Sequence, residues 1–153
     1  MSPRDQALAL AELKALTVSQ RRAELVIGAD QMLAIDGDTL DKPRDVQEAR
    51  SHLRRLRGRE HHLICAAAAA KDGVVVWRHV SMPRLRVRSF TDAFLEDYLS
   101  RTGEAVLASV GAYQLEGLGA HLFESVDGDY FSVLGLPVLP LLAFLREQGL
   151  ALS

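Results

Sequence analysis

Four side chains in this 153-residue sequence have the types and the order to act on a chain of phosphates. Asp30 and Gln31 follow the apolar run Val26-Ile27-Gly28-Ala29, Lys42 sits in Asp41-Lys42-Pro43, and Glu116 lies among glycines in Val110-Gly111-Ala112-Tyr113-Gln114-Leu115-Glu116-Gly117-Leu118-Gly119. Two carboxylates can hold one divalent cation and orient a water, while a lysine offsets the charge of a triphosphate as it is cleaved. Brought together, these residues would suit hydrolysis of a phosphoanhydride. Ser109 and Ser132 have no obvious histidine partner, and a P-loop, a dinucleotide-binding glycine fingerprint, a nucleophile elbow and zinc-ligand spacing are all missing. Residue types and spacing alone stop at an α/β domain with a candidate anion site.

The elements that must position these residues follow from periodicity. Residues 25–29 read as a continuously apolar strand, central in a sheet, that ends in a small-residue turn and presents Asp30 and Gln31 at its C-terminal end. Before it, residues 2–16 read as a helix with Ser2 as cap, Pro3 in the first turn and Leu10, Leu13 and Leu16 on the apolar face. Lys14 falls off that face and reads as a solvated lysine. The polar stretch 17–24 reads as a loop. After Pro43, Asp45 and Glu48 form a capping box, and Val46, Ala49, Leu53 and Leu56 make one stripe up to a stop at Gly58.

Residues 63–70 contain five consecutive alanines, yet the turn Lys71-Asp72-Gly73 and the following Val74-Val75-Val76-Trp77 predict a hairpin. Extended chain is expected over 80–89, where Leu85 and Val87 alternate with Arg84, Arg86 and Arg88. Thr91 caps a helix that buries Phe94, Leu95, Tyr98 and Leu99 and stops at Gly103. Asp127-Gly128 predicts a second hairpin between 120–126 and 130–134, and Leu141, Leu142 and Leu145 mark a last helix ending near Gly149.

Composition limits the function classes. A hydrophobic content of 48% with 25% charged residues excludes disorder and collagen, and a chain of this size buries roughly 68–70% of its unfolded surface in a single domain. The net charge of −2 offers no general attraction to nucleic acid or membrane. Arg50, Arg54, Arg55, Arg57 and Arg59 could form a phosphate or RNA patch, but no aromatics interleave them, so they read as a solvated face. His61 and His62 are adjacent and on a strand would point to opposite faces, which argues against joint metal ligation. The lone Cys65 sits in an apolar run and reads as a buried hydrophobe in a reducing compartment. No signal peptide or membrane-length apolar run is visible, so a cytoplasmic location is expected.

Val26-Ile27-Gly28-Ala29-Asp30, Asp41-Lys42-Pro43, Leu53-Arg54-Arg55-Leu56-Arg57-Gly58-Arg59-Glu60-His61, Gly111-Ala112-Tyr113, Glu116-Gly117-Leu118-Gly119 and Gly128-Asp129-Tyr130 with Val133-Leu134-Gly135-Leu136-Pro137 together resemble the Maf family of nucleotide pyrophosphatases. The resemblance covers nearly the whole chain. It implies a mixed α/β fold related to the inosine triphosphate pyrophosphatases, with an elongated sheet flanked by helices, often as a homodimer. It also implies hydrolysis of a nucleoside triphosphate to the monophosphate and pyrophosphate with a divalent metal cation, Mg²⁺ or Mn²⁺. By position Asp30 resembles the catalytic acid and Lys14 and Lys42 the phosphate-contacting lysines; Asp30 and Glu116 are the two carboxylates that could hold the metal. Gln31 with Glu116 is more similar to the branch acting on 7-methylguanosine triphosphate than to the thymidine and uridine branch.

One departure accompanies the match. Family members carry a strand and a Ser-x-Ser-x-Arg-Arg turn ahead of the lysine-bearing helix, whereas residues 1–153 begin at that helix and are read as one N-terminally short domain. Arg21-Arg22 follows Lys14 and is no replacement. The alternative reading is therefore a catalytically weakened or inactive nucleotide-binding or regulatory module.

Overall fold

The computed structural model describes residues 1–152 as eleven helices and strands with three short 3₁₀ segments. The chain forms two compact units, one made of Met1–Gln31, Ile64–Met82 and the segment from Asp129 onward, the other of Met32–Leu63 and Pro83–Gly128. Six strands make one sheet in the order β2-β1-β3-β5-β6, with β4 paired to β3, and the recorded strand pairs are antiparallel.

The first unit opens with α1 (Pro3–Ser19), capped by the Ser2 hydroxyl accepting from the Asp5 amide. The helix runs beyond the expected end, so the segment read as a loop from 17 begins only after Ser19. Its apolar face was also misassigned: Ala7, Ala11 and Ala15 are fully buried, while Leu10 and Leu13 are exposed. The reason is a close approach to β1 (Val26–Ile35). A Cβ at Gly28 would lie 2.3 Å from the Ala11 carbonyl oxygen and 2.6 Å from the Ala15 amide nitrogen, so only small residues fit on both sides.

β1 itself is longer than expected. It does not end in a turn at Gly28-Ala29 but continues through Met32-Leu33-Ala34-Ile35, and the reversal comes at Asp36-Gly37, both with positive φ (49° and 83°). Asp30 and Gln31 therefore sit within a strand. The alanine run does form strand β3 (Glu60–Lys71), and Asp72-Gly73 turn it into β4 (Val74–Ser81), as the turn signal predicted. On one side of this unit α5 (Val138–Glu147) packs Leu141 and Phe144 against Ala69, with Ile27 and Trp77 beside them; the Trp77 and Phe144 rings stack at 5.3 Å.

In the second unit β2 (Asp38–Leu40) pairs with the end of β1, placing Leu33 opposite Leu40. α2 (Val46–Leu56) is capped by Asp45, whose carboxylate accepts from the Glu48 amide at 2.8 Å, and it buries Ala49, Leu53 and Leu56. β5 (Arg84–Val87) buries Leu85 and Val87 and turns its arginines outward, where Arg84 meets Glu60 and Asp127 and Arg86 meets Glu124. α3 (Asp92–Thr102) buries Leu95, Tyr98 and Leu99 as expected, while Phe94 is only half-buried. β6 (Phe123–Asp127) pairs with β5.

The second expected hairpin is not formed. Residues 120–122 belong to a 3₁₀ turn, and after Gly128 the chain leaves the sheet for α4 (Tyr130–Leu134) in the first unit. Asp129 decides this: its carboxylate accepts from both the amide and the hydroxyl of Ser132 at 3.1 and 2.8 Å, capping a helix where the sequence pattern suggested a strand.

Candidate active site

Among the described residues, Lys14 and Asp30 are the two candidate site residues joined by a side-chain contact. The Lys14 ammonium donates to Oδ1 of Asp30 at 2.8 Å and to the Ala29 carbonyl at 3.0 Å. The Asp30 side chain is 15% exposed and that of Lys14 is 55% exposed, so the carboxylate is recessed and the lysine lies half in solvent. The buried alanines of α1 produce this arrangement, because they bring the helix close enough for a neighbouring lysine to reach over β1. A lysine read from periodicity as solvated is thus a partner of the strand carboxylate. Oδ2 of Asp30 has no hydrogen-bond partner among the described residues.

Gln31 uses its amide nitrogen on the backbone, donating to the Ser132 and Val133 carbonyls at 3.0 Å each. Asp129 caps the same short helix and was not singled out as a site residue. The signal was present as an Asp followed three residues later by Ser, a capping spacing hidden by the hairpin reading. Cys65 is buried and its thiol is pushed up to about 12, first by burial and then by the negative charges of Asp129 and Asp30. It is an inert core thiol.

Lys42 and Glu116 belong to the second unit. Lys42 is exposed in the loop after β2, and Glu116 is exposed in a turn between 3₁₀ segments. Neither has an ion pair among the described residues. The segment bearing Glu116 is held from below: the Tyr98 hydroxyl donates to the Ala112 carbonyl at 2.8 Å, and Tyr113 meets the buried His61 at 2.8 Å between Nε2 and the hydroxyl. Gly111 takes φ 80°, where any side chain would collide with the Tyr113 ring. A cavity of about 250 Å³ in this unit, lined by Phe94, Asp97, Tyr98, Arg101, Leu118 and His121, offers no spare charge, because both Asp97 oxygens take the Arg101 Nε at 3.0 Å.

The arginine cluster is largely neutralised. Arg50 pairs with Glu96, Arg55 with Asp38, Arg57 with Asp92 and Arg59 with Asp36. His61 is buried and His62 exposed, as opposite strand faces require. Among the described residues no group of three or more His, Cys, Asp or Glu side chains is placed to hold a metal, and no helix is long and apolar enough to cross a membrane.

A family model described as Maf-like protein matches residues 1–148. The chain belongs to this family. Among its curated Maf-like relatives, a nucleoside triphosphate pyrophosphatase of Hyphomonas neptunium is 54% identical over 143 residues, covering 94% of this chain and 72% of the relative. One of the same name from Rhodospirillum rubrum is 51% identical over 154 residues, covering 100% and 76%. A 7-methyl-GTP pyrophosphatase of Rhizobium meliloti is 52% identical over 149 residues, covering 97% and 75%. The mixed α/β fold expected of a Maf-like protein is the fold observed.

Proposed function

We propose that this protein hydrolyses a nucleoside triphosphate to the monophosphate and pyrophosphate. The observation that carries the reading is the 2.8 Å pairing of Lys14 with Asp30 in the strand Val26–Ile35. Names of relatives support the reaction class, and one relative named for 7-methyl-GTP supports that nucleotide as a substrate to be tested first.

Roles follow from charge and position. An arriving phosphate competes for the Lys14 ammonium, which turns from Asp30 to a phosphate oxygen and leaves the carboxylate free. Asp30 then accepts the proton of a water whose oxygen bonds the α-phosphorus, as the bond from that phosphorus to its bridging oxygen breaks and pyrophosphate departs. Lys42 offsets charge on the phosphates, and the Glu116 carboxylate can accept from the N–H groups of a guanine edge.

A divalent cation fits the donor set. Mg²⁺ keeps several waters and takes one or two protein carboxylates plus substrate phosphates, which agrees with an Asp30 whose Oδ2 is unengaged among the described residues. Asp30 would hold Mg²⁺ or Mn²⁺, which would supply charge neutralisation and activation of water. We further propose that the chain acts as one domain, as a homodimer in the cytoplasm.

The test is pyrophosphate release from a panel of unmodified and 7-methylated triphosphates with Mg²⁺ or Mn²⁺. Turnover of at least one nucleotide is expected. Calorimetric binding without turnover would overturn the hydrolase in favour of an inactive nucleotide-binding module.

A further inference from the structure

Neighbouring residues of a strand point to opposite faces, so Asp30 and Gln31 cannot share a direction. Within the first unit Gly28 and Asp30 face α1, the glycine by its close approach to Ala11 and Ala15 and the aspartate by its contact with Lys14. Ile27 faces the other way, toward Leu141 and Phe144 of α5. Gln31 is in phase with Ile27 and reaches α4, where its two amide hydrogens meet two carbonyls.

Those carbonyls belong to the last turn of a five-residue helix, whose final C=O groups have no partner within the helix. The Ser132 carbonyl also accepts from the Gly135 amide at 3.1 Å. Ser132 is fully buried and Val133 nearly so, so water is a poor substitute for the Gln31 donors there. At its other end the helix is held by Asp129. β1 is thus gripped on one face by α1 through Gly28 and Lys14, and on the other by α4 through Gln31.

We infer that Gln31 is a positioning residue, which straps α4 to the face of β1 opposite Asp30 and so holds the strand segment that presents the Asp30 carboxylate, rather than reading the nucleobase. The inference rests on the hydrolase reading for its kinetic consequence and stands apart from it for its structural one. Its amide has no hydrogen left to donate to a base, whereas a lost strap would shift the carboxylate for every nucleotide alike.

The experiment compares the wild-type chain with Gln31→Leu, which keeps bulk and removes both donors, and with Gln31→Glu, which sets an acceptor against two carbonyls. Gln31→Asn, with an amide too short for both carbonyls, covers a leucine variant that fails to fold. Turnover of GTP, 7-methyl-GTP, TTP and UTP with Mg²⁺ is measured beside amide hydrogen exchange over residues 130–136. Exchange in that segment is expected to rise by ~10-fold or more while that of α1 stays unchanged. The value of kcat is expected to fall by a similar factor for all four nucleotides, ~10- to 100-fold, as for a displacement of about 1 Å, with kcat/KM ratios between nucleotides kept within ~2-fold.

Altered ratios with kcat on the best nucleotide preserved and exchange unchanged would be the signature of a base contact and would overturn the inference. Unchanged kinetics together with unchanged exchange would overturn it as well. If the wild-type chain turns over none of the nucleotides, the hydrolase reading fails by itself, and exchange alone decides the strap: no acceleration in the leucine or asparagine variant removes it.

Discussion

At the scale of single residues, the proposed site turns on a carboxylate that already has a cation. Asp30 is recessed and Lys14 is half in solvent, so the pair adds little to stability, about 0–1 kcal/mol as for other solvent-screened ion pairs. Its interest is chemical, because the proposed reaction has the lysine exchange the carboxylate for a phosphate. Asp30→Asn keeps the shape and removes the charge, and it is expected to lower kcat by ~100-fold or more with the melting temperature nearly unchanged. Pyrophosphate release checks this, and a variant turning over at the wild-type rate would take Asp30 out of the mechanism. Lys14→Met should act differently, raising KM for triphosphates ~10-fold through lost phosphate contact, with a smaller effect on kcat. Asp30 was legible in the sequence because an acidic residue after an apolar run is a visible pattern. Lys14 was not legible from periodicity, since the helix face that packs is made of alanines and the leucines that dominate hydropathy point outward.

Among elements, the contact of α1 with β1 governs the site. A helix set this close to a strand needs small residues on both partners, and Gly28 with Ala11 and Ala15 provides them. Gly28→Ala would place a methyl carbon within 2.6 Å of two backbone atoms of α1, and backbone cannot give way as a side chain tip can. The expected outcome is a loss of about 2–3 kcal/mol, read from a urea midpoint, together with reduced turnover as Lys14 moves off Asp30. An equally stable and active Gly28→Ala protein would show that the close approach is dispensable. The alanine run of β3 is legible only with its context. Alone it favours helix, but the Asp72-Gly73 turn and the valines behind it decide for a hairpin. The short helix α4 was missed because Asp127-Gly128 resembles a hairpin turn and the cap that overrides it, Asp129 to Ser132, acts only once the chain has left the sheet.

For the whole molecule, stability should depend on acid through His61. This ring is 1% exposed, and burial, assisted by the charge of His62, lowers its pKa to about 4, against a usual value of 6.5. Between those two values the unfolded chain binds the proton and the folded chain does not. Stability that is fully present above pH 6.5 therefore falls as pH drops toward 4, by up to about 3 kcal/mol from this group. Urea midpoints at pH 7.5 and pH 4.5 test this, and His61→Phe should flatten the difference. An unchanged slope would assign the acid sensitivity elsewhere. Net charge and arginine pairing set a second expectation. Four cluster arginines face carboxylates, so binding to a generic RNA should be weak and should vanish by about 0.2 M salt. Tight binding that persists at that salt in a filter assay would contradict this.

By itself the sequence determined the α/β class, the strand of Asp30, the capped helices at Asp45 and Thr91, the alanine hairpin and the family, because each depends on local propensity, turn chemistry or a run of motif residues. Tertiary structure alone decided which face of α1 is buried, how far β1 runs before it turns, that Gln31 faces α4 while Asp30 faces Lys14, and that Tyr113 leans on a buried His61. These depend on which surfaces meet at what distance, and a one-residue change of strand direction or a helix rotated toward its small residues leaves the hydropathy pattern almost unaltered.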